Sequence, residues 1–187
     1  VETKDELRTS LLARRTTLGP ERVAADAVGL AAGVRSVLAP TTRRVAAYLS
    51  SGSEPSTRPL VDTLCQDGIE VVVPRALAVR RTAWVPYRVG GELRRGRYGI
   101  DEPVGDPLAD ALERADAIIL PAVAVDAAGR RLGRGGGYYD TTLAELDPAV
   151  LRIALVHDHE LVERVPVDDH DQPVHVVVTP RRVLDLR

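Results

Sequence analysis

The chain has 187 residues, 44% of them hydrophobic, with 25 Lys and Arg against 27 Asp and Glu and a formal net charge of −2. This suits one domain with one core over 1–187, and the even mixing of charge argues against a general nucleic-acid-binding surface. A single Cys65 excludes an intrachain disulfide framework, and Val1 to Arg15 contain no continuous apolar run, so a cytoplasmic protein without a membrane partner is expected.

Helical spacing opens the chain, with Leu7, Leu11 and Leu18 on one face. Lys4, Arg8 and Arg15 fall within about 40° of one another at ~100° per residue, a basic stripe beside the apolar one that either faces a cleft or snorkels to water. After Pro20 a second helix runs through Val23, Ala27, Leu30 and Val34 towards Leu38. A strand over Arg44–Leu49 leads into Ser50-Ser51-Gly52-Ser53-Glu54-Pro55, followed by a helix from about Thr57 to Gln66. Glu54 can accept hydrogen bonds from the N–H groups of a heterocycle, or simply favour the positive end of the helix it precedes.

Ile69–Val73 reads as a second strand ended by Pro74, and Ala83–Val89 as a third leading to Gly90-Gly91. Arg94–Pro107 is irregular and long enough to be functional; it carries Tyr98-Gly99-Ile100-Asp101-Glu102-Pro103. A short helix over Leu108–Arg114 precedes a strand over Ala117–Val125, a glycine-rich loop and a helix to Leu146. Strands at Arg152–Val156 and Val174–Val178 follow, and no role attaches to the charged tail after Pro180. Alternating helices and continuously apolar strands predict an α/β fold: a single-domain three-layer sandwich whose mostly parallel central sheet is covered by helices on both faces. Ligands of such sheets gather at the strands' carboxyl ends, where the Glu54 and Arg131 loops are expected to emerge.

The most informative segment is Arg130-Arg131-Leu132-Gly133-Arg134-Gly135-Gly136-Gly137-Tyr138-Tyr139-Asp140. Glycines let backbone N–H groups approach an anion, the following helix adds partial positive charge, and Arg131 and Arg134 offer forked donors to phosphate. Asp140 is placed to hold a divalent cation against those phosphates. The loop has no Gly-Lys-Ser/Thr ending and no Gly-x-Gly-x-x-Gly spacing, so it is neither a Walker A nor a dinucleotide motif; a flexible connector with exposed arginines is the plain alternative. Val165 to Asp171, with Asp168, Asp169 and His170, offers carboxylates and an imidazole, and His157-Asp158-His159 adds more upstream. Without a Cys partner or a two-histidine helical spacing these suit Mg²⁺ rather than zinc. No serine sits on a Gly-x-Ser-x-Gly turn, so no hydrolase triad is expected.

In order along nearly the whole chain, Lys4-x-x-Leu7-Arg8, Tyr48-Leu49-Ser50 with Glu54, Tyr98-Gly99-Ile100 with Glu102-Pro103, Leu120-Pro121 with Asp126, Arg131 to Asp140, Pro166 with His170-Asp171, and Val178-Thr179 resemble the 5-formyltetrahydrofolate cyclo-ligase family, also called methenyltetrahydrofolate synthetase. The resemblance implies an α/β sandwich that uses ATP and Mg²⁺ to close 5-formyltetrahydrofolate into 5,10-methenyltetrahydrofolate, releasing ADP and phosphate. It implies ATP contacts from Lys4, Arg8 and the run Arg131, Leu132, Gly133, Arg134, Gly135, Gly136, Gly137, Tyr138 and Tyr139. Folate contacts fall on Leu49, Glu54, Arg134, Gly135, Gly136, Gly137 and Tyr138, Mg²⁺ ligation on Asp140 and Asp171, and catalytic roles on Arg131, Arg134 and Tyr138. In the implied mechanism the formyl oxygen attacks the γ-phosphate, N10 adds to the activated carbon, and phosphate leaves. An amide oxygen attacks without losing a proton, so positioning and charge stabilisation suffice for the first step.

The chain departs from many relatives in carrying Val125 where an aromatic precedes the strand Asp, Gly136 where some have Lys, and Glu160 where a Gln is common. A small-molecule kinase and a non-catalytic folate- or nucleotide-binding regulator are the alternative readings. A monomer acting on 5-formyltetrahydrofolate and ATP, with no nucleic-acid partner, is expected.

Overall fold

The computed structural model describes residues 3–78, 81–168 and 171–187; Asp169 and His170 of the expected acidic stretch lie outside the described residues. Helix α1 (Lys4–Thr16) begins with a capping box, in which the Thr3 hydroxyl accepts from the Glu6 N–H and the Glu6 carboxylate accepts from the Thr3 N–H. It ends before Leu18, and its buried positions are Leu7, Leu11 and Arg15. The third inward position is thus an arginine, which leaves the basic stripe for the interior. Helix α2 (Pro20–Val37) takes Pro20 in its first turn and buries Ala27, Leu30, Gly33 and Val34.

In chain order the remaining elements are β1 (Arg44–Ala46), α3 (Arg58–Gln66), β2 (Glu70–Ala78), β3 (Arg81–Pro86), β4 (Leu93–Arg95), β5 (Asp101–Pro103), β6 (Ala117–Pro121), β7 (Ala124–Asp126), β8 (Arg131–Leu132), α4 (Tyr138–Glu145), β9 (Leu151–Leu155), β10 (Leu161–Val162), β11 (Val176–Val178) and β12 (Val183–Asp185). Seven strands form one sheet in the order β12-β11-β9-β6-β1-β2-β3. From β11 to β2 the pairings are parallel, and β12 and β3 close the two edges antiparallel. β10, β7 and β8 make a second, smaller sheet, and β4 and β5 a two-stranded ribbon.

Helices cover both faces, as the apolar strands require. On one face Leu30 and Val34 of α2 and Leu60 and Leu64 of α3 pack on Val45, Ile119 and Ile153. On the other, Leu143 of α4 and Leu146 pack with Trp84, Ile118, Leu120 and Val177. Leu7 and Leu11 of α1 instead cover the small sheet, meeting Val123, Ala124, Leu132 and Val165. α2 lies close enough to the sheet edge that a Cβ on Gly29 would stand 2.0 Å from the Pro180 carbonyl oxygen. No helix among the described residues is long and apolar enough to cross a membrane.

Several element boundaries differ from the sequence reading. β2 continues through Pro74 because β1 pairs only as far as Val72, so the missing N–H falls where no strand needs it on that side. The expected strand Ala117–Val125 is two strands in different sheets. At the break, Ala122 O accepts from Arg15 at 2.5 Å and the Val123 N–H donates to Leu132 O at 2.7 Å, so both backbone groups are satisfied outside the main sheet. Residues 109–114 form turns rather than a helix. Their Asp110 carbonyl accepts from Arg44 at 2.9 Å as well as from the Arg114 N–H. The irregular stretch contains the β4–β5 ribbon, and the tail without an expected role supplies edge strand β12.

Candidate active site

Past β1 the chain remains buried through Leu49 and turns in a loop braced at its neck. The Ser50 N–H donates to the Thr57 hydroxyl at 2.9 Å, the Thr57 N–H donates to the Ser50 hydroxyl at 3.0 Å, and the Thr57 hydroxyl donates to Tyr48 O at 2.7 Å. Glu54 is only 7% exposed and accepts from the Ser51 N–H at 2.8 Å. At the tip, the His157 ring reaches Ser53 O through Nε2 at 2.9 Å; because a carbonyl only accepts, Nε2 carries the proton. The His157 N–H in turn donates to Glu160 at 2.8 Å, and the fully buried Glu160 is ion-paired with Arg15 of α1 through both carboxylate oxygens. A continuous buried chain therefore runs from α1 to the loop that carries Glu54.

The glycine-rich segment begins as strand β8, paired antiparallel to β7, so it leaves a hairpin of the small sheet rather than the end of a central strand. Asp126 stabilises that hairpin turn, accepting from the Ala128 and Arg130 N–H groups at 2.9 and 3.1 Å and from the Val165 N–H at 2.8 Å. Gly135 and Gly137 both have positive φ, +90° and +70°, and Gly137 caps the start of α4. Arg8 supports the loop from outside, its Nε donating to Gly133 O at 2.9 Å.

These segments enclose a cavity of about 530 Å³, within the range of small-molecule sites. Leu49, Glu54, Arg131, Gly133, Arg134, Gly135, Gly136, Gly137, Tyr138, Tyr139 and Asp140 all line it, as the sequence reading grouped them. Charges inside are already matched: Arg131 Nη2 to Asp140 at 2.5 Å, and Arg134 Nε to Glu54 at 3.0 Å. Arg131 also donates to Pro121 O at 3.2 Å, yet its buried Nε has no partner. Burial, followed by the negative charge of Glu54, pushes the Tyr139 phenol far above its usual range, while Arg131 pulls it back only in part. It remains a proton donor at neutral pH.

Lys4, Arg8, Leu132 and Asp171 are not part of the cavity lining. Leu132 turns its side chain into the core under α1. Burial works against the charge of Lys4, but hydrogen bonds to Asp168 and Asp171, at 2.6 and 2.5 Å, outweigh it and hold the ammonium pKa above its ordinary value. Among the described residues no three His, Cys, Asp or Glu side chains converge as a self-sufficient metal cage.

The far wall went unassigned in the sequence. Pro74 and Ala76 of β2 and Thr82 and Trp84 of β3 face the cavity, paired across the hairpin as Pro74 with Trp84 and Ala76 with Thr82. Their period-two spacing was the available signal, hidden by ending the strand at Pro74. Tyr98, quoted in the resemblance without a role, also lines the cavity; its hydroxyl lies 2.8 Å from that of Tyr138, with the rings edge to face at 6.1 Å. Its backbone is left-handed, φ +66°, an uncommon conformation for a side chain of this size.

A sequence model of the 5-formyltetrahydrofolate cyclo-ligase family matches residues 1–180. The chain is 39% identical over 188 residues to the 5-formyltetrahydrofolate cyclo-ligase of Mycolicibacterium smegmatis, covering 96% of this chain and 94% of that one. It is 36% identical to the enzyme of the same name from Escherichia coli, covering 91% and 96%. The solved structure of Aquifex aeolicus 5,10-methenyltetrahydrofolate synthetase superposes with a TM-score of 0.84 at 30% identity, over 98% of this chain and 93% of that one. With the family model matched over residues 1–180 and the fold over 98% of the chain, the chain belongs to the 5-formyltetrahydrofolate cyclo-ligase family and is, by that membership, a ligase.

Proposed function

We propose that the protein closes 5-formyltetrahydrofolate to 5,10-methenyltetrahydrofolate at the expense of ATP, in the cavity between the Glu54 loop, the glycine-rich segment and the β2–β3 wall. The observation that carries this reading is one cavity lined by a buried carboxylate, Glu54, and two arginines, Arg131 and Arg134, groups suited to a heterocycle's N–H edge and to phosphates. The orphaned Nε of buried Arg131 supports an anion as occupant. Phosphate binding replaces the Arg131–Asp140 and Arg134–Glu54 pairings, which frees Glu54 for the pterin N–H groups.

Mg²⁺ typically keeps several waters and takes one or two carboxylates plus substrate phosphates, so Asp140 in the cavity lining fits it without a larger cage, whereas Asp171, outside the lining and bonded to Lys4, would join only if Lys4 released it. When bound it would neutralise phosphate charge. Arg131 and Arg134 stabilise the charge that spreads over the transferring phosphoryl group as the formyl oxygen displaces ADP. N10 then attacks the activated carbon and loses its proton as phosphate leaves, completing the ring. Tyr138 and Tyr98 form an aromatic edge at the cavity, and Trp84 a flat wall, both suited to a fused-ring substrate. Arg8 holds the glycine segment in place through Gly133 O and adds positive charge on its outer side, while Lys4 ties α1 to Asp168 and Asp171.

The test is direct: purified protein with ATP, Mg²⁺ and 5-formyltetrahydrofolate should develop the near-ultraviolet absorbance of the methenyl product, with stoichiometric ADP and phosphate. A stable phosphorylated product would indicate a kinase instead. Tight binding of either ligand without ADP formation would indicate a regulator.

A further inference from the structure

Tyr48 lines the same cavity but has no role in any step above. Its side chain is 4% exposed, and its hydroxyl is buried without a hydrogen-bond partner. Its backbone is firmly held, since Tyr48 O accepts from the buried Thr57 hydroxyl at 2.7 Å, so the ring has a fixed anchor. A Phe would satisfy the apolar packing against the α2–α3 face of the sheet equally well. Leaving a buried hydroxyl unpaired costs on the order of 1–3 kcal/mol, so the ligand-free fold bears a cost for which its own contacts supply no return.

The surroundings show which half of the hydrogen bond is wanted. Glu54, Arg15, Tyr139 and Glu160 all act electrostatically on the phenol. Burial first, then the carboxylate of Glu54, keeps its proton on, with Arg15 opposing. The group is therefore a neutral, buried O–H in the wall of a cavity that also holds the Glu54 carboxylate, which can only accept. A donor and an acceptor in one cavity wall complement a planar amide-like edge, which presents N–H and C=O together.

We propose that Tyr48 is a specificity-determining residue whose hydroxyl donates to a carbonyl oxygen on the heterocycle whose N–H groups Glu54 accepts. This rests on the folate reading of the cavity and adds a second polar contact on the same ring edge. The contact favours an oxo-substituted ring over an otherwise identical ring carrying an amino group there, because the carbonyl oxygen accepts the phenol proton, whereas an amino group can only donate to the phenol oxygen and turns that proton towards Glu54, in competition with the ring N–H groups. A site built around a required hydrogen bond rejects the analogue that lacks it more strongly than an apolar pocket does.

Tyr48→Phe tests this with two readouts of opposite sign. KM for 5-formyltetrahydrofolate should rise about five- to tenfold, the range of one buried hydrogen bond, while KM for ATP and kcat stay within about twofold. The ligand-free melting temperature should hold or rise, since an unsatisfied hydroxyl has been removed. Calorimetric titration of the folate onto both proteins, without ATP, reads the same contact independently of turnover. Equal folate affinity in wild type and variant overturns the assignment, as does a fall in melting temperature with both KM values rising together. If the wild type binds no folate, the reading of the cavity fails with it; if the wild type turns over and the variant is indistinguishable, only Tyr48 is misassigned.

Discussion

Glu160→Gln exchanges one carboxylate oxygen for an amide and leaves Arg15 with a buried, uncompensated charge. Arg15 is 1% exposed and Glu160 0%, so neither recruits water when its partner is lost. Two guanidinium–carboxylate hydrogen bonds join them, and the other acceptor of Arg15, the Ala122 carbonyl at 2.5 Å, carries no charge to offset the guanidinium. Breaking a pair this dry costs about 3–5 kcal/mol, more than an exposed ion pair by severalfold. For a chain of 187 residues that corresponds to a melting temperature lower by roughly 6–20 °C. With its oxygen at the Oε2 position the amide can still accept from Arg15 Nη2 and the His157 N–H, but its NH2 group then meets the Arg15 Nε donor; as the side chain shifts to relieve that clash of donors, the base of the His157 ring and the Ser53 tether loosen. KM for 5-formyltetrahydrofolate should therefore rise more than KM for ATP. Thermal and urea melts of Glu160→Gln, Arg15→Met and the double variant complete a cycle, and the double should be less destabilised than the sum of the singles because it buries no charge. A Glu160→Gln variant within 1 kcal/mol of wild type, or strict additivity in the double, would refute the reasoning.

Arg131→Ala should lower kcat/KM by about 10²–10³, the scale for a single preorganised electrostatic donor, and near-normal turnover would reject its role. Asp140→Ala should mainly raise the Mg²⁺ and ATP requirements and Glu54→Ala the folate KM; steady-state kinetics showing equal losses towards both substrates in both variants would undo that division. Gly29→Ala should destabilise by about 1–3 kcal/mol in denaturant melts, because the new Cβ meets a backbone carbonyl that has little freedom to retreat. His175 is held below the usual imidazole pKa by burial and then by Arg152 and Arg187, and its Nδ1 accepts from the Arg152 N–H at 3.2 Å. Folding prefers the neutral ring, so its contribution is complete above about pH 6.5 and declines as pH falls towards the depressed folded value. Melts between pH 7.5 and 5 should show a shallower loss in His175→Gln.

The parallel sheet was legible because its strands are continuously apolar, and the site because Glu54 and the glycine-rich segment occupy one contiguous stretch each. Where reading failed, a side chain distant in sequence holds a backbone carbonyl. Arg15 holds the Ala122 carbonyl and so marks the break between β6 and β7, and Arg44 holds the Asp110 carbonyl where a helix was expected. Such contacts span 107 and 66 residues and leave no local pattern. Arg15 itself was placed in a stripe that either faces a cleft or snorkels to water, because helical spacing gives an angle, while the partner that makes it fully buried lies at Glu160. The β2–β3 wall was lost to the ordinary rule that proline ends a strand, which holds only where a neighbour requires the N–H.

Within the cavity, Arg97, Arg131 and Arg134 face Glu54, Asp101, Glu102 and Asp140. Three cations against four carboxylates leave a small negative balance, so the cavity should offer free phosphate or other simple anions little net attraction. An inorganic anion can displace one carboxylate from an arginine only by stranding that carboxylate without a partner. On the proposed reading, a ligand that brings phosphates for the arginines together with N–H donors for Glu54, and a cation for Asp140, would exchange both the Arg131–Asp140 and the Arg134–Glu54 pair at once. Selectivity against the abundant small anions of a cell thus comes from how the cavity neutralises itself, before any contact with the correct ligands is made.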